Sequence, residues 1–145
     1  MPSKKTKTTV RVDRLRKLAD FLDKLQRSHF DFAIVRGKYS PFPGNDCGTV
    51  GCAIGWCPTV FPKACHINVA GQAVRIDGRY RSYFAAGARL FGMSDDDAYH
   101  LFTPREPSPA TGRDLSYFAT HKQVARRIRT YAAWCERTGV RVTHE

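Results

Sequence analysis

The segment Asp46-Cys47-Gly48-Thr49-Val50-Gly51-Cys52-Ala53-Ile54-Gly55-Trp56-Cys57 holds three of the chain's five cysteines, three glycines and one of its two tryptophans. No charged side chain lies between Cys47 and Cys57. Such a stretch is either a close-packed core helix or a thiol site. Its pattern predicts a short helix from Thr49 to about Cys57, entered at Gly48 and ended by Pro58, which has no N–H for the preceding turn. Gly51 and Gly55 each cost about 1 kcal/mol of helix propensity against alanine. Spaced four apart, they share one face and let a second backbone approach closely. At about 100° per residue, Cys47, Cys52 and Cys57 spread around that helix instead of converging. The packing reading is therefore preferred, with Cys52, Ile54 and Trp56 in the core and Cys47 and Thr49 at the helix entrance.

Outward from this segment the chain reads as mainly α. Val12, Leu15, Leu18, Ala19, Leu22 and Leu25 recur at helical spacing, which predicts a helix from about Val12 to Gln26. Phe30 to Val35 is a short aromatic run, and residues 36–46 are a Gly/Pro/Asn loop. Residues 67–80 predict a small β-hairpin, with β-branched Ile67, Val69, Val74 and Ile76 and a turn at Asp77-Gly78; Ala70-Gly71-Gln72 is a candidate second turn. Tyr83 to Phe91 is a helix capped by Gly92. Ser94 caps a further helix whose first turn carries Asp95, Asp96 and Asp97. Residues 104–116 form a Pro-rich loop. Thr120 and Gln123 make a capping box for the last helix, whose inner stripe is Val124, Ile128, Tyr131, Ala132 and Cys135. The expectation is a compact single-domain helical fold of about five helices with one small β-hairpin. A disordered basic arm over 1–9 precedes a globular domain over 10–138, and 139–145 is a C-terminal tail.

Length and composition bound the function. The chain has 145 residues, 42% hydrophobic, enough for one domain with a real core. No apolar run approaches the roughly 20 residues of a membrane span, so no membrane association is expected. The N-terminal Lys4, Lys5 and Lys7 have no apolar region behind them, so no signal peptide is expected. An odd cysteine count and an adequate core point to reduced thiols in a cytoplasm.

The net charge is +11, from 24 basic and 13 acidic residues. Residues 1–17 and 121–145 carry most of the excess, while the middle is nearly balanced. That asymmetry points to an acidic partner, either a nucleic acid backbone or an acidic host protein. The expected polyanion-binding residues are Lys4, Lys5, Lys7 and Arg11 in the arm and Arg126, Arg127 and Arg129, off the buried stripe, on the last helix. Arg79, Tyr80, Arg81, Tyr83 and Arg89 interleave basic and aromatic side chains, a pattern suited to single strands. No helix-turn-helix, zinc finger or RNA-recognition signature is visible, so base-specific reading is not expected.

The opening segment also resembles a signature of the form C-G-T-x-x-C-x-x-G-W, through Cys47, Gly48, Thr49, Cys52, Gly55 and Trp56. That signature marks a family of small, uncharacterised bacterial proteins, especially actinobacterial, and of their phages. A Leu-rich helix precedes it there. A segment like Ala88-Arg89-Leu90-Phe91-Gly92-Met93-Ser94 follows, and a helix like Gln123 to Arg129 closes the chain. Cys57 is not part of the signature. The resemblance implies an accessory protein and brings no activity with it.

Three chemistries compete with simple binding. Zinc would draw on Cys47, Cys52, Cys57, Cys65 and His66, but the gaps of four, four and seven residues between the cysteines do not match a zinc knuckle. Asp95, Asp96 and Asp97 are consecutive on a helix and cannot jointly enclose an ion. No metal and no cofactor are expected. The alternative function is a thiol-dependent hydrolase or transferase, with Cys47 at a helix entrance as nucleophile and His66 or His100 as base. His29 and His121 are further candidate bases. The leading expectation remains a non-enzymatic accessory protein that binds an acidic partner.

Overall fold

The computed structural model describes residues 9–25, 36–37, 50–51, 53–67, 74–81, 83–102 and 120–144. Lys4, Lys5, Lys7, Cys47, Gly48, Thr49 and Cys52 lie outside the described residues, as do His29, Val69 and the 104–116 loop. The fold is mainly α, a compact single domain with, among the described residues, five helices and a small antiparallel sheet. The elements in order are β1 (Val10–Arg11), α1 (Val12–Lys24), β2 (Arg36–Gly37), β3 (Val50–Gly51), α2 (Ala53–Val60) and β4 (Cys65–Ile67). They continue as β5 (Val74–Ile76), β6 (Arg79–Arg81), α3 (Tyr83–Phe91), α4 (Asp95–Phe102), α5 (His121–Arg137) and β7 (Val142–Thr143).

The two longest helices make the central layer. Val12, Leu15, Leu18, Ala19 and Leu22 of α1 are buried, and so are Val124, Ile128, Tyr131, Ala132 and Cys135 of α5. These two helices share more contacts than any other pair. Arg16 pairs with Glu136, Leu22 with His121, and Asp20 and Asp23 both with Arg129, so α1 and α5 run antiparallel. His121 Nδ1 donates to the Leu22 carbonyl oxygen across 2.6 Å and so satisfies an acceptor in the last turn of α1. The capping box at the start of α5 is present in full: Thr120 accepts from the Gln123 N–H, and Gln123 Oε1 accepts from the Thr120 N–H.

The opening segment folds differently from its expected helix. Val50–Gly51 is a strand that pairs antiparallel with Arg36–Gly37, and the helix begins only at Ala53. Gly51 and Gly55 therefore do not share a helical face. Pro58 lies inside α2 and does not end it. Its ring removes one donor, and the chain still continues with the Phe61 N–H bonded to the Cys57 carbonyl oxygen at 2.7 Å. Ala53, Ile54, Gly55, Trp56, Cys57 and Val60 are all buried, so the packing role of the segment stands. Trp56 meets Phe21 of α1 with ring centroids 5.6 Å apart. The close approach falls to Gly87 of α3, where an added Cβ would lie 2.6 Å from Ile54 Cδ1.

The sheet has three strands, ordered β4-β5-β6, all antiparallel. Asp77-Gly78 turns β5 into β6 with φ of 54° and 78°, the left-handed pair that a two-residue hairpin requires. Helix α3 ends at Gly92, φ 72°, and the Met93 N–H bonds back to the Ala88 carbonyl oxygen at 3.0 Å, closing a Schellman motif. The Asp97 N–H donates to Ser94 Oγ at 3.1 Å, which caps α4.

Residues 139–145, expected as a tail, include β7, which pairs in parallel with β1 through Val10↔Val142 and Arg11↔Thr143. His144 Nδ1 lies 3.0 Å from Asp13 Oδ1 and holds the end against α1. Among the described residues no helix is long and apolar enough to cross a membrane.

Candidate functional site

The two charged ends meet different fates. On α5, Arg127 is 3% exposed, against the expectation that it lies off the buried stripe. It stands three residues after Val124 and four before Tyr131, a position that turns toward the core. Arg129 is engaged by Asp20 at 2.7 Å and Asp23 at 2.6 Å, and these bonds raise its pKa. Only Arg126 of the three expected α5 arginines stands exposed without an ion pair among the described residues. The structure does not assemble a basic surface from these three side chains.

Arg11 leads elsewhere. It lines a cleft of about 1070 Å³ whose walls are β1, the start of α1, the turn after α2, the β4–β6 sheet and the end of α3. Arg11, Arg14, Lys63, Arg75, Arg81 and Arg89 line this space, against two carboxylates, Asp77 and Asp95. Each arrives from a different element. Asp77 is taken by Arg89 at 2.7 Å, which lowers the Asp77 pKa below the ordinary carboxylate range. Arg14 donates from Nη1 to the Leu90 carbonyl oxygen at 3.0 Å, in the last turn of α3, and stands over the Phe61 ring. Burial, and after it the neighbouring charge of Arg11, lowers its pKa.

Arg11, Lys63, Arg75 and Arg81 make no ion pair among the described residues. Arg81 Nε is shielded from solvent without a hydrogen-bond partner among the described residues. Thr9 also lines the cleft, so the chain bearing Lys7 joins the described fold at its rim. Arg14, Lys63 and Arg75 were not among the residues expected to bind. They stand far apart in the chain, on α1, in the turn after α2 and on β5, and meet only in the fold.

The described thiols are packed. Cys57, Cys65 and Cys135 carry buried thiols. Cys57 Sγ donates to the Ala53 carbonyl oxygen at 3.4 Å, and Cys65 Sγ to that of Phe61 at 3.6 Å. Burial pushes the Cys65 thiol up to about 11, and Cys135 also moves up. These are core thiols, not nucleophiles. Of the expected bases, His66 is exposed in the cleft and His100 is half-buried on α4, so they sit on separate elements. Among the described residues no three His, Cys, Asp or Glu side chains gather to hold a metal ion. Asp97 instead accepts from the Tyr131 hydroxyl at 3.0 Å. Comparison with protein-family models, with curated proteins and with solved structures gives no match.

Proposed function

We propose that this chain binds nucleic acid through its phosphates, in the cleft between β1, the three-stranded sheet and α3. One observation carries the reading: six cations line the cleft against two carboxylates, and five of those cations have no ion pair among the described residues. Like charges held together repel, and bound phosphates relieve that repulsion while releasing counterions. An acidic protein surface would engage the same cations. Nucleic acid is favoured because an exposed tyrosine, Tyr80, lies on the same sheet as Arg75 and Arg81. The cytoplasmic setting and the resemblance to small bacterial and phage proteins belong to the same proposal.

The test is fluorescence anisotropy of a labelled oligonucleotide at low salt, with the chain and its Arg75→Gln/Arg81→Gln double variant. The reading expects the double variant to bind about tenfold more weakly or worse, while Arg126→Gln binds like the parent. Equal affinity of the double variant and the parent would remove the cleft as the site. Poly-glutamate as competitor separates the partners: it displaces the oligonucleotide readily only if any acidic chain will serve.

A further inference from the structure

The sheet register sets three exposed side chains in a row. His66 on β4 faces Arg75 on β5, and Arg75 faces Tyr80 on β6. Their strand neighbours Cys65 and Ile76 are buried, so the row belongs to the outer face, as the two-residue alternation of a strand requires. Tyr80 is 58% exposed and the only large hydrophobic side chain so exposed among the described residues. His66 and Arg75 line the cleft. Tyr80 thus stands one strand over from Arg75, on the edge strand of the sheet.

We infer that the ligand is single-stranded nucleic acid, with a phosphate on Arg75 and a neighbouring base stacked on the Tyr80 ring. This rests on the phosphate-binding reading of the cleft. One strand spacing, about 5 Å, separates the Arg75 and Tyr80 backbones, within the reach of one nucleotide. A flat ring on an open sheet face offers a stacking surface to any base, whatever its identity. A duplex keeps its bases stacked on each other and presents only their edges in grooves, which such a ring does not enter. The absence of an expected base-reading motif fits a site that stacks without discriminating sequence.

The experiment compares three labelled probes of equal length, about 12 nucleotides: oligo(dT), an abasic deoxyribose-phosphate strand and a duplex. Each is titrated with the chain and with Tyr80→Ala and Tyr80→Phe. The inference expects oligo(dT) to bind about tenfold more tightly than the abasic strand. It expects Tyr80→Ala to erase that difference and Tyr80→Phe to keep it, with duplex affinity unchanged by either. Equal binding of oligo(dT) and the abasic strand by the parent chain overturns stacking without any variant, and leaves the phosphate reading standing. Tyr80→Ala weakening all three probes alike also overturns it. Failure of all three probes to bind the parent at low salt sinks both the inference and the reading beneath it.

Discussion

Gly92 and Thr9 are in direct backbone contact: a side-chain carbon at Gly92 would overlap the Thr9 carbonyl oxygen. The glycine at the end of α3 therefore does two things. Its φ of 72° closes the helix, and its bare Cα lets the strand entering from the basic arm pass against that helix end. The pairing fixes Arg11 and Thr9 on the wall of the cleft. Gly92→Ala should destabilise the fold by about 2–4 kcal/mol, combining left-handed strain with a backbone clash. A urea melt measures this. A loss below about 0.5 kcal/mol would show that the strand and the helix end are not held together.

Cys65 makes a pH prediction. Its thiol moves from an ordinary value near 9 to about 11, because burial disfavours the thiolate. The folded state therefore holds the proton more tightly than the unfolded state does. The contribution of this group is fully present below about pH 9 and is lost as pH rises toward about 11. Stability of the parent relative to Cys65→Ala should be constant at neutral pH and narrow across that window. Paired urea melts at stepped pH show it, and a difference that stays flat to pH 11 counts against a buried neutral thiol.

Arg129 separates stability from binding. Its two aspartate partners are on α1, and all three side chains are partly exposed, so Arg129→Gln should cost at most about 1 kcal/mol. Nucleic acid affinity should stay within about twofold of the parent, because the charge is already neutralised locally. An oligonucleotide titration alongside a melt checks both. A tenfold loss of affinity with unchanged stability would move the binding surface to α5.

Tyr131 is 1% exposed, with its hydroxyl donating to Asp97 at 3.0 Å. Tyr131→Phe removes the only hydroxyl in that contact and leaves the ring in place. The expected loss is about 1 kcal/mol, the usual net worth of an intramolecular hydrogen bond. Differential melting at pH 7 measures it, and an unchanged variant would mean that solvent satisfies Asp97 equally well.

Much of the helical scaffold was legible because its signals are local. The periodicity of α1 and α5, the Thr120–Gln123 box, the Ser94 cap and the Asp77-Gly78 turn each depend on residues within a few positions of one another. The opening segment was misread at its start. The pairing of Val50–Gly51 with Arg36–Gly37 joins distant residues and leaves no local trace. Arg127 was readable in principle, since its spacing from Val124 and Tyr131 places it beside the apolar stripe. The cleft was not, because its six cations come from six elements and converge only after folding. Counting charge along the chain favoured the two ends, yet α1 carboxylates neutralise Arg129 and the balanced middle supplies Lys63, Arg75, Arg81 and Arg89.

The central claim is that cleft cations hold phosphates, and salt dependence tests it most directly. Affinity for a labelled single strand should be measured from about 50 to about 200 mM salt. With four or five phosphates held, log affinity should fall against log salt with a slope of about −3, at about 0.7 per contact. Arg75→Gln/Arg81→Gln should make that slope shallower by about 1.4. A parent slope near zero, or a slope the double variant leaves unchanged, would contradict phosphate binding in this cleft.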